Sequence, residues 1–316
     1  MSEVSPAIIR AAHRRIAPFI HRTPVLTSAR IDAIVGAQLF FKCENFQKVG
    51  AFKARGAFNA VLSLSDAEAA AGVTTHSSGN HAAAVALAAC SRGIAAHIVM
   101  PSNSSQAKKD AVAAYGGLIS FCEPTLEARE AVSAEVIART GAYFLHPYDN
   151  DAVIAGQATA AVELIEDVKG LDAIICPVGG GGLLAGTALA TRWLEPDARV
   201  IAAEPAGADD AWRSFNARAF LPQTGARTIA DGLLTSLGQR NFAIMLEAVD
   251  AVITTSEAAI IEAMRVIWQS LKIVVEPSAA VSLAALMEQT SPIAVQRIGV
   301  ILTGGNVDLD RLPWMV

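Results

Sequence analysis

Short apolar runs such as QLFFKCEN (38–45), AAHIVMP, DAIICPV, ARVIAAEP and RIGVILTGG alternate with longer helical stretches along the whole chain. This alternation restricts the fold to β-α units, and so to the α/β class with mostly parallel sheets. Ser5 and Pro6 can cap and start an opening helix, and further helices are predicted from Ser105 to Tyr115, up to Gly141, and near Asp151 to Lys169. The units between GVTTHS and Gly141 suggest one compact lobe, while those after HPYDN imply a second sheet. Glycine-rich loops follow strand ends, where α/β sheets bind ligands, so the expected site is a cleft between the lobes.

A chain of 316 residues exceeds the usual single core. Its 53% hydrophobic and 17% charged content would suit a membrane protein only if the apolar residues formed one block. Charges and turn residues interrupt every run before a spanning length. The opening MSEVSPAIIRAAHRR lacks the apolar core and cleavage site of a signal peptide, so a cytoplasmic location is expected. Cys43, Cys90, Cys122 and Cys176 are scattered with no C-x-x-C pair, which points to neither a disulfide framework nor zinc. A net charge of -5 without a basic stripe argues against a nucleic-acid partner and leaves a small molecule.

Three segments carry candidate chemistry. Lys53 stands in VGAFKARGA at a helix start, among small residues and with no acid close in sequence. Burial there would lower its pKa and make it a nucleophilic amine, able to form an imine with a carbonyl cofactor; the structural alternative is a surface lysine covering apolar neighbours. THSSGNH follows a strand and opens a helix, so its backbone amides, with Ser77, Ser78, Asn80 and His81, can receive a substrate carboxylate. Helix capping is the plainer role for Ser77 and Asn80, and a core position for His81. Gly179, Gly180, Gly181 and Gly182 join DAIICPV to the next helix. Such a run lets the backbone approach an anion and present amides to a phosphate.

The same loop supports a rival reading. Gly180, Gly182 and Ala185 fit G-x-G-x-x-A, and Glu204 ends the next strand as a ribose-binding acid would, which is the pattern of a nicotinamide-dependent dehydrogenase. That reading leaves Lys53 and the THSSGNH block without a role.

Together, ENFQKVGAFKARGAFNAV, THSSGNHAAAVALAA, HPYDNDAVIAGQATAAVEL, PVGGGGLLAG, AAEPAGADD, TIADGL, EPSAAVSLAAL and ILTGGNVDL resemble the serine racemase and short threonine (serine) dehydratase family, over nearly the whole chain and in order. The resemblance implies a fold-type II pyridoxal-phosphate enzyme. Its two open, twisted, mostly parallel sheets would lie in a large cofactor-binding domain of residues 1–49 and 147–316 and a small domain of residues 50–146, which closes over substrate with the cofactor in the cleft. It implies that Lys53 forms the imine, that Phe52 packs on the cofactor ring, that Asn80 meets the phenolic oxygen, that Gly179 to Gly182 hold the phosphate, and that Thr303 faces the pyridine nitrogen. A hydroxyl at Thr303 keeps that nitrogen protonated less well than a carboxylate would, which suits prompt loss of a β-substituent. The activity implied is dehydration and deamination of a β-hydroxy-α-amino acid to a 2-oxo acid and ammonia.

Ser78 resembles the residue on the opposite ring face that lets racemases return the proton, so racemisation is the first alternative. A pyridoxal-binding regulatory protein without chemistry is opposed by intact Lys53, Ser78 and Thr303. Glu204, Ala208 and Asp210 match the family's divalent-cation site, with hard oxygen ligands suited to magnesium or calcium; a pair of helix-start carboxylates is the structural alternative. Ala83 replaces the glutamine of nucleotide-stimulated members, so ATP stimulation is not expected. No regulatory domain is expected after Val316, and a homodimer is. For the β-substituent, Asp231 and Thr235 keep the family pattern, while Leu234 stands where relatives often carry a cation and Tyr148 adds an aromatic face. Threonine, serine or a larger apolar analogue such as phenylserine is therefore expected to be preferred over acidic substrates. Arg129, matching a racemase-family arginine near the cleft, is the counterweight.

Overall fold

The computed structural model describes residues 4–77, 79–289 and 295–315. Its strands are β1 (Val25–Leu26), β2 (Gln38–Cys43), β3 (Val73–His76), β4 (Ala96–Pro101), β5 (Leu118–Cys122), β6 (Tyr143–Phe144), β7 (Ala173–Pro177), β8 (Arg199–Pro205), β9 (Ala251–Thr255) and β10 (Arg297–Leu302). One sheet has six strands in the order β1-β2-β10-β7-β8-β9, and the other has four in the order β5-β4-β3-β6. Among the described residues, β1 and β2 pair antiparallel and the other strand ladders are parallel. All strands of the smaller sheet fall between residues 73 and 144.

The predicted helix signals act as such. Ser5 caps the helix Pro6–Ile16 through Ile8 N, with Pro6 at its start, and the helix Leu126–Thr140 ends on Gly141 at φ 72°. The strands β7 and β10 are buried on both faces, which is why their sequences are apolar without alternation. Helices Asp151–Asp167 and Gly182–Leu194 cover one face of the larger sheet, and Glu257–Leu271 and Pro277–Glu288 the other. The alanine-rich helix Asn80–Arg92 is buried between the smaller sheet and the helix Lys53–Ser63. Among the described residues, no helix is long and apolar enough to cross a membrane. Cys43, Cys122 and Cys176 are buried thiols, whereas Cys90 is exposed.

Candidate active site

The carboxyl ends of β3, β7 and β10 converge, and the loops leaving them line one cavity of about 180 Å³. Phe52, Lys53, Ser77, Asn80, His81, Arg129, Tyr148, Gly179 to Gly182, Leu234, Thr235 and Thr303 all lie on its wall. Segments at opposite ends of the chain thus meet because parallel strands deliver their outgoing loops to the same edge. Ser78 lies outside the described residues. Glu204, Ala208 and Asp210 form a separate group that does not line the cavity.

Lys53 is the first residue of its helix and is held there from several sides. Phe52 N donates to Thr303 O at 3.0 Å, and Ala51 bridges Gly304. Two residues on, the fully buried Arg55 guanidinium donates to Glu44 at 2.7 and 2.8 Å, to Glu163 at 2.7 and 2.8 Å, and to Thr159 Oγ1 at 3.1 Å. Lys42 Nζ completes the group on Glu163 Oε2 at 2.7 Å, so two cations balance two carboxylates in the interior. A close backbone approach adds to the clamp, since a side chain at Gly156 would meet Arg55 O and Gly56 Cα at 2.5 and 2.6 Å. The Lys53 Nζ donates to Pro147 O at 3.2 Å. Burial pushes its pKa down to about 8, against the opposing pull of Glu276. An amine so readily deprotonated at the cavity wall is what a carbonyl cofactor requires.

Thr303 is 4% exposed and, among the described residues, its Oγ1 has no hydrogen-bond partner; His81 is 2% exposed. A polar atom left over as the Thr303 hydroxyl is suits a ligand. His81 is held neutral, its pKa well below the ordinary value because of burial and the positive charge of Lys53. The Gly179–Gly182 loop precedes and opens the helix Gly182–Leu194, with Gly181 at φ +88°, a conformation that favours glycine. Lysine, hydroxyl and glycine loop together fit pyridoxal phosphate: Lys53 for the carbonyl, the loop and helix start for the phosphate, Thr303 for the ring nitrogen. Asn80 is already engaged, its amide donating to both Glu276 oxygens at 3.1 and 3.2 Å and its carbonyl accepting from Asn306 at 2.9 Å. Meeting a phenolic oxygen would take one N–H away from Glu276.

Several wall residues carried no catalytic signal in the sequence. Glu276 read only as the residue before a helix-starting proline, yet it is 4% exposed and its pKa is pushed up to about 7 by burial, with a further push from Asp231. Lys108 and Asp231 form an ion pair at 2.5 Å across 123 residues, and Ser278 Oγ accepts from Gly232 N at 3.0 Å. His76 lines the wall with its pKa lowered by burial and by Arg129. Only long-range packing brings these groups together.

Arg129 faces the cavity from the helix Leu126–Thr140, and its buried Nε has no hydrogen-bond partner among the described residues. Leu234 is 43% exposed. In the separate group, Glu204 accepts from Ala211 N at 3.1 Å and Trp212 N at 2.8 Å, so it caps the helix Asp210–Ala217 and is turned away from any nucleotide on the glycine loop. The dehydrogenase reading thereby loses its ribose-binding acid. Burial pushes Glu204 up to about 8 and raises Asp210, whose Oδ2 accepts from Leu237 N at 2.8 Å and whose Oδ1 has no partner. Among the described residues no group of three or more His, Cys, Asp or Glu side chains could hold a metal. A cation here would rest on two carboxylates and a carbonyl.

The model of the family described as "Pyridoxal-phosphate dependent enzyme" matches residues 16–304. The chain is 54% identical to the beta-hydroxyaspartate dehydratase of Paracoccus denitrificans, over 96% of each chain. It resembles the structure of maize serine racemase, with a TM-score of 0.95 and 47% identity, covering 97% of this chain and 95% of that one. The structure of a threonine deaminase from T.th. gives a TM-score of 0.92 and 43% identity, covering 97% of this chain and 100% of that one.

Proposed function

Since the chain belongs to the pyridoxal-phosphate dependent enzymes, sharing the fold of serine racemase and threonine deaminase, we propose that it eliminates water and then ammonia from a β-hydroxy-α-amino acid bearing a second carboxylate, leaving a 2-oxo acid. The observation that carries this reading is Arg129, a cavity-facing guanidinium with an unpartnered, buried Nε. Arg129 is half-buried and its Nε is enclosed, so the guanidinium has a donor that a β-carboxylate would satisfy. The dehydratase name of the Paracoccus denitrificans relative supports the same substrate class. Leu234 gave the opposite expectation, but at 43% exposure it offers no dry apolar wall to desolvate a charge.

When bound, pyridoxal phosphate supplies the electron sink for the pair released at the substrate Cα. Lys53 is the base for the α-proton, its low pKa leaving the amine free near pH 8. The helix start at Asn80 and the neighbouring Ser77 are suited to the α-carboxylate, and Arg129 to the distal one. The smaller domain, residues 50–146, would close over the substrate and exclude water. Racemisation on the same site is the alternative, supported by the serine racemase relatives and resting on Ser78, which lies outside the described residues.

The test compares kcat/KM for serine, threonine, phenylserine and 3-hydroxyaspartate in wild type and Arg129→Met. The acidic substrate should lose about 10²-fold relative to the others, the scale for truncating one partner of a buried charge pair. An unchanged ranking would leave Arg129 outside the substrate site.

The same reading includes a divalent cation at Glu204, Asp210 and the Ala208 carbonyl, supported by the raised carboxylate pKa values and the unpartnered Asp210 Oδ1. Chelation should lower Tm by a few degrees and magnesium restore it, whereas Asp210→Asn should respond to neither. A homodimer, as the resemblance implies, is measurable by sedimentation.

A further inference from the structure

We infer that Tyr148 is a positioning residue that shapes the Gly179–Gly182 loop into an anion cradle, and that residue 180 is glycine to admit the tyrosine ring, not the anion. This rests on the reading that the loop holds the cofactor phosphate. A Cβ at Gly180 would fall inside the Tyr148 ring, all three of its nearest neighbours being ring atoms, and a Cβ at Gly182 would meet Tyr148 O, Cα and Cβ at 3.0 to 3.2 Å. The loop is therefore wrapped directly on this residue.

The tyrosine itself cannot easily move aside. Its hydroxyl hydrogen-bonds Thr235 Oγ1 at 2.9 Å, and its ring meets His146 edge-on at 4.6 Å. His146 Nδ1 accepts from the backbone amides of Tyr148 and Asp149 at 3.4 and 2.9 Å, which fixes the turn that carries the ring. The buried Asn241 amide donates to Tyr148 O at 3.1 Å and to Gly180 O at 2.6 Å, tying tyrosine and loop to one group. Gly238 N adds a second bond to Gly180 O at 3.0 Å. With the Gly180 carbonyl held from behind by two donors, the neighbouring amides keep one orientation without a ligand, which is the preorganisation an anion site requires.

The experiment measures, on the full chain freed of cofactor, the affinities for pyridoxal phosphate and for pyridoxal, which differ only in the phosphate. Wild type should favour the phosphorylated compound strongly. Tyr148→Ala should cut that preference about tenfold or more while leaving pyridoxal binding little changed, and Tyr148→Phe, which keeps the ring, should lose only a fraction of it. Gly180→Ala should be as damaging in wild type, yet add less than about twofold in the Tyr148→Ala background, because the methyl group then enters space the ring has left. Equal losses for both ligands in Tyr148→Ala, or a Gly180→Ala penalty that is the same in both backgrounds, would overturn the inference. A wild type indifferent to the phosphate would overturn the phosphate reading of the loop and the inference with it.

Discussion

Replacing Lys53 by alanine is expected to abolish the visible absorbance of the loaded enzyme and to lower 2-oxo acid formation by at least about 10³-fold, because one side chain is both covalent anchor and α-proton base. The fold should survive, since Lys53 Nζ makes only one hydrogen bond, to Pro147 O, and the clamp on its helix belongs to Arg55. The low pKa adds a signed expectation. Burial holds the amine's pKa at about 8, so the free amine population grows as pH rises through that value. The rate at which cofactor-free chain captures pyridoxal phosphate should climb as pH rises toward about 8 and level off above it. A rate that stays flat over this range, or an alanine variant with near-normal turnover, would remove Lys53 from the chemistry.

Arg55→Met should be the most destabilising single change in the vicinity of the site. Its guanidinium joins Glu44, Glu163 and Thr159, all buried, and its loss leaves two carboxylates facing only Lys42 and Thr23. Breaking a buried ion pair by removing one partner costs about 3–5 kcal/mol, a large part of the roughly 5–15 kcal/mol that holds a domain folded. A loss of that size in the unfolding free energy, read as a lowered urea midpoint, is expected. Adding Glu163→Gln should recover part of it, because the uncompensated charge is then removed. A midpoint within experimental error of wild type would mean that the network contributes nothing, and no recovery in the double variant would mean that lost packing, not charge, is responsible.

The sequence by itself determined the local elements and pointed to the candidate reactive residues. Ser5-Pro6 and Gly141 mark helix ends, and the apolar runs at β7 and β10 mark buried parallel strands, because capping and side-chain periodicity are written in a few adjacent residues. Lys53 and the glycine run stood out as candidates by local residue choice, while Thr303 became a candidate only through the family resemblance of ILTGGNVDL. What the tertiary structure alone decided is everything set by distant partners. Glu276 lies far beyond Lys53 in sequence, yet it shares the lysine's field. Arg129 matched a family arginine near the cleft, but only the packing of its helix against the cavity buries its Nε. Gly180 read as room for a phosphate, yet the space a side chain there would need is filled by the Tyr148 ring. Burial, charge balance and mutual exclusion between side chains are sums over neighbours in space, and a parallel sheet collects those neighbours from the ends of strands far apart in the chain.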